Sequence, residues 1–68
     1  LSGLRKVCPT VTRSEELLAM LVRLHLSSDE IAFALGNNRA SVNTSRFRFR
    51  KKLGLEKEVS LEDYIDSL

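Results

Sequence analysis

An all-α fold is what this sequence predicts, and three observations carry the prediction. Apolar residues recur at three- and four-residue spacing in successive segments, as they do in helices with one buried face. Two segments open on capping boxes, Thr12 to Glu15 and Ser27 to Glu30, in which a hydroxyl meets an orphan amide and a glutamate reaches back. The one stretch that alternates like a strand, Arg46-Phe47-Arg48-Phe49-Arg50, lies inside a helical pattern, and no other stretch reads as a strand.

The elements follow in order. Leu1, Leu4, Val7 and Cys8 share helical spacing and stop at Pro9. Residues 1–11 therefore read as a lead-in holding the end of a preceding helix, and 12–68 as the domain. Behind Thr12, Leu17, Leu18, Leu21, Val22 and Leu24 form a wide apolar stripe, which places a helix at 13–24. It ends near His25, a residue type enriched in the left-handed conformation that glycine usually takes there. Ser27 caps a two-turn helix at 28–35, with Ile31, Ala32, Ala34 and Leu35 as its apolar residues and Gly36 as its stop. Asn38 caps a third helix at 39–53, in which Val42, Phe49 and Leu53 repeat at seven and four residues before Gly54. After a connection at 56–60, Ser60 starts a last helix carrying Leu61, Tyr64, Ile65 and Leu68 at i, i+3, i+4 and i+7.

Composition narrows the function. With 68 residues the chain forms one domain with a small core. Its single cysteine excludes an internal disulfide, and Cys8 with His25 cannot assemble a zinc site. One histidine and no nucleophile motif leave catalysis unsupported, so no cofactor, metal or small-molecule substrate is expected. No apolar run is long enough to span a bilayer. The chain begins at leucine, which suggests a piece of a longer protein, and its lone thiol fits a reducing, cytoplasmic compartment. The net charge of +2 hides a strong division: residues 1–13 carry +3, 14–38 carry −3, 39–52 carry +6 with no acid, and 53–68 carry −4. Charge concentrated in one segment points to a polyanion partner.

Three residues join the second and third helices, too few for anything but a sharp angle, and the joint fits a helix-turn-helix. Ala32 is small enough for close approach, Gly36 takes a left-handed turn without a Cβ penalty, and Val42 wedges between the helices. On a wheel of about 100° per residue, Phe49 and Leu53 fall within about 20° of Val42 and are core. Phe47 falls on the far side with Ala40, Asn43, Thr44 and Lys51. Arg39, Arg46 and Arg50 border that face on one flank, and Arg48 and Lys52 on the other. A helix in a DNA major groove suits this layout, with short polar and apolar groups toward base edges and cations toward phosphates.

Residues 12–55 also resemble the LuxR/GerE-type helix-turn-helix output domain of bacterial transcription regulators. The resemblance rests on Thr12 with Glu15, Leu26-Ser27 before Glu30-Ile31-Ala32, Leu35-Gly36, Ser41-Val42, and Arg48 with Lys51-Lys52-Leu53-Gly54. The run Arg48-Phe49-Arg50-Lys51-Lys52-Leu53-Gly54-Leu55 is similar to the variant at the ends of larger Bacteroidetes-type signalling proteins. The resemblance implies a four-helix bundle, double-stranded DNA as ligand, and homodimerisation of the full-length protein involving the last helix. Tyr64, Ile65 and Leu68 are then the candidate dimer face, although the sequence equally allows them to be core. It also implies base contacts from Asn43, Thr44 and Phe47. Phosphate contacts are expected from Asn38, Arg39, Arg46, Arg48, Arg50, Lys51 and Lys52. The chain departs from the family in having His25 where glycine is usual, Asn43 where lysine or arginine is common, and Ser45 where histidine often stands. Two rival expectations stand beside this one: a helical module that docks a partner protein, and a helix-turn-helix that grips RNA or polymerase.

Overall fold

The computed structural model describes residues 2–68, so Leu1 lies outside the described residues. The described chain forms α1 (Ser2–Val7), α2 (Arg13–Arg23), α3 (Ser28–Leu35), α4 (Arg39–Leu53) and α5 (Leu61–Asp66), with no strand among them. Each of the last four begins where a side chain satisfies orphan amides. Both capping boxes close: Thr12 Oγ1 accepts from the Glu15 amide at 3.2 Å while Glu15 Oε1 accepts from the Thr12 amide at 2.8 Å. Ser27 and Glu30 repeat those two distances at the start of α3. Asn38 Oδ1 accepts from the Ser41 amide at 2.8 Å, and Ser60 Oγ from the Asp63 amide at 3.0 Å. The stops also follow the sequence. His25 adopts φ 61°, as expected of a non-glycine residue standing in for a left-handed cap. Gly36 and Gly54 sit at φ 69° and 71° with open space where a Cβ would stand, so backbone conformation rather than crowding calls for glycine.

The helices pack α3 on α4 and α2 on α5. One core joins Leu18, Ala19, Val22, Ile31, Ala32, Val42, Phe49, Leu61 and Ile65. Leu4 of α1 is completely buried in the same cluster, so the lead-in contributes to the core of the domain it precedes. The approach of α1 is close: a Cβ on Gly3 would meet the Leu68 carbonyl oxygen at 3.1 Å.

Three expectations about packing need correction. Leu17 on α2 and Leu24 at its C-terminal cap are exposed, because the inner face of α2 is centred on Leu18 and Val22, and Ala19 completes it against the neighbouring helices. The short α3 buries Ile31 and Ala32, packs Leu35 against the core as its inner face requires, and leaves Ala34 exposed. Ile65, offered above as part of a dimer face, is 0% exposed within one chain and is core. Leu61 and Ile65 lie four residues apart and turn α5 inward, leaving Tyr64 and Leu68 half-buried beside them.

Candidate nucleic-acid interface

Helix α4 carries the candidate surface. Its inward side is fixed by Val42 and Phe49, each 1% exposed, with Leu53 packed against them. Its outward side then presents Ala40, Ser41, Asn43, Thr44, Ser45, Phe47, Arg48 and Lys51, all exposed. The helix holds no acidic residue over its 15 positions. Phe47 is 52% exposed, and Lys51 Nζ lies 4.8 Å from its ring centroid, within cation–π range. Thr44 Oγ1 donates to the Ala40 carbonyl at 3.0 Å, which leaves its oxygen free to accept. The turn is built from Gly36, Asn37 and Asn38, with Ala32 and Val42 both buried where α3 and α4 meet. Asn38 is occupied as the cap of α4, and Asn43 accepts from the Ser28 hydroxyl of α3 at 3.1 Å.

The six cations of α4 fall into two sets. Arg46 pairs with Glu62 of α5, and its side chain is only 20% exposed. Arg50 donates to the Val59 carbonyl at 2.6 Å and the Glu56 carbonyl at 2.8 Å, clamping the connection to α5. Lys52 Nζ donates to the Thr10 carbonyl and to Glu15, both at 2.8 Å, and so ties the lead-in and α2 to α4. The other three face water. Arg39 has only a loose contact with Asp29 at 3.8 Å, with both side chains about 70% exposed, a geometry worth little in water. Among the described residues, Arg48 and Lys51 have no carboxylate partner. Arg48 borders two adjoining grooves that also share Ser45: one of about 430 Å³ between α2, the end of α3 and α4, and one of about 410 Å³ along the first half of α4.

The acids that hold the inner cations are perturbed by them. Burial alone raises Glu15, but hydrogen bonds from Lys52 and the Thr12 amide outweigh it and hold its carboxyl below the usual value of 4.5. Burial likewise raises Glu62, and the Arg46 guanidinium outweighs it, again leaving the group below 4.5.

The sequence-predicted residues are therefore brought onto one helix but not onto one surface. Ala40, Asn43, Thr44, Phe47 and Lys51 share the outward face that the wheel assigned to them. Arg46 and Arg50 turn toward α5, and Lys52 toward the lead-in. For Arg46 a signal was present: it lies within about 40° of Val42 on the wheel, at the edge of the core-facing side. Two residues carried no such signal. Ser28 reaches Asn43 only because the turn brings the start of α3 beside α4. Phe33 stands 87% exposed on α3, an aromatic that nothing in its helix covers. Comparison of the chain with protein-family models, curated proteins and solved structures returned no match.

Proposed function

We propose that this chain is a double-stranded DNA-binding helix-turn-helix module, the output domain of a bacterial transcription regulator, with α4 in the major groove. One observation carries the proposal: a 15-residue helix without acids keeps an entire face exposed, and three cations on and beside that face are free or loosely paired. A helix of that length runs about 22 Å, and its diameter of about 10–12 Å matches the width of the major groove. Asn43, Thr44 and Phe47 supply the groups that face base edges, with Phe47 suited to a thymine methyl. Arg39, Arg48 and Lys51 supply phosphate contacts. No described helix is long and apolar enough to cross a membrane. The regulator acts as a homodimer, and of the candidate pairing residues Tyr64 on α5 and Leu68 just beyond it keep partial exposure.

Titration of a labelled random-sequence duplex at two salt concentrations tests the proposal. Binding that weakens steeply with salt, and that duplex RNA competes for poorly, is the expected result. Equal competition by RNA would assign the basic helix to RNA instead. Phe33, at 87% exposure, favours a second reading in which the module docks a partner protein through α3. Absence of salt-sensitive duplex binding would select that reading.

A further inference from the structure

Ser28 is the first residue of α3, directly behind the cap Ser27. Its hydroxyl donates to Asn43 Oδ1 across the turn at 3.1 Å. The positive end of the α3 dipole lies at the same place and favours the oxygen end of the Asn43 amide over the nitrogen end. The two ends of a planar amide diverge, so turning the oxygen toward α3 turns the nitrogen away from it. Asn43 is exposed, and with Oδ1 turned toward α3, one of its two lone pairs taken by Ser28, the group it offers outward is an NH2 with two donors.

That orientation decides which base edge the side chain suits. An asparagine that reads adenine presents oxygen and nitrogen together, accepting from N6 while donating to N7. With the oxygen held by Ser28, the pair no longer faces one base. Adenine then sets its own N6 donor beside the Asn43 donors, cytosine offers only the N4 donor, and thymine offers a single acceptor, O4, beside its methyl. Guanine presents two acceptors side by side, O6 and N7, and matches a donor-only group.

We infer that Ser28 is a positioning residue that turns Asn43 from an adenine reader into a guanine reader. The inference rests on the reading of α4 as the helix that contacts DNA. Its subject is a residue of α3 that need not touch a base.

The test is a competition titration over duplexes that differ from a selected binding site by one base pair at a time. It is run with the natural chain and with Ser28→Ala, Ser28→Thr and Asn43→Ala, each first checked for an unchanged helical circular dichroism spectrum. Asn43→Ala locates the base pair that Asn43 reads. At that pair the natural chain is expected to prefer guanine over adenine by about tenfold, the scale of one well-made side chain contact to a base. Ser28→Ala should bring guanine and adenine to within about twofold, and Ser28→Thr, which keeps the hydroxyl, should restore the preference. A purely structural role for Ser28 would lower affinity for all duplexes alike and leave the ratio unmoved. Guanine preference that survives in Ser28→Ala overturns this inference while leaving the DNA-binding reading intact. A natural chain that binds no duplex overturns both.

Discussion

Lys51 and Lys52 are neighbours in sequence with opposite surroundings, and exchanging each for alanine separates the two sets of cations on α4. Lys52 Nζ is held by the Thr10 carbonyl and Glu15, whereas Lys51 has only the Phe47 ring. Each phosphate neutralised by a protein cation contributes about −0.9 to the slope of log K against log salt. If Arg39, Arg48 and Lys51 make the phosphate contacts, the slope per bound chain is about −2.7; with all six cations of α4 it would be about −5.4. Between 50 and 200 mM salt the first value lowers affinity about fortyfold and the second roughly two-thousandfold. Lys51→Ala should flatten the slope to about −1.8. Lys52→Ala should leave the slope near −2.7, lower thermal stability by roughly 1 kcal/mol through its lost hydrogen bonds, and weaken binding slightly by uncovering Glu15. Fluorescence anisotropy of a labelled duplex over a salt series measures all three slopes. Equal flattening by both substitutions would show that Lys52 leaves Glu15 for a phosphate, and the division of α4 into inner and outer cations would be wrong.

Other perturbations test the fold and its charges. Phe49→Ala should cost about 3–5 kcal/mol and leave little folded protein, while Phe47→Ala should barely move the melting temperature and should alter base preference in a selection experiment. Gly36→Ala should lower stability by roughly 1–2 kcal/mol, measured by urea unfolding, since φ 69° is strained for alanine although space for its methyl is open. Leu4→Ala should cost about 2–5 kcal/mol, which a lead-in outside the domain would not. Glu15 and Glu62 both titrate below 4.5 in the folded chain, so the unfolded state binds more protons as pH falls toward that value. Their stabilisation is complete above about 4.5 and is lost as pH drops through the lowered folded values, so melting temperatures should fall as pH drops below about 4.5. The Glu15→Gln, Glu62→Gln double variant should show a flatter decline over that range.

Helix boundaries were legible because each is written in local chemistry. A hydroxyl or amide three residues ahead of the amide it accepts from, and a glycine or histidine able to turn left-handed, are properties of neighbouring residues. The core of α4 was legible for the same reason: Val42, Phe49 and Leu53 need only the helical period to find one another. Side-chain fates that depend on another helix were not. Whether Leu17 or Ala19 faces inward depends on how closely neighbouring helices approach α2, and no residue of α2 states that distance. Nor does anything near Lys52 announce that Thr10, far back in the chain, will lie beside it.

This difference bears on how the basic segment is understood. A run of six cations without an acid reads in sequence as one electrostatic feature, yet in the folded chain three of the six are engaged by other elements. Its core is small, and three of the connections that close it, to α5, to the loop before α5 and to the lead-in, are made by arginine and lysine reaching outward from α4. Those side chains lie toward the edge of the helix that packs, where acids and carbonyls are in reach. Side chains a turn away have only water before them. The helix thus meets two demands with one residue type: Arg46, Arg50 and Lys52 hold α4 in the domain, Arg48 and Lys51 keep its far side positive, and Arg39 stays loosely paired at the helix start although it shares a flank with Arg46 and Arg50. Adding charge to the outer set should raise affinity for a polyanion at little cost to the fold, whereas removing charge from the inner set should loosen the fold first.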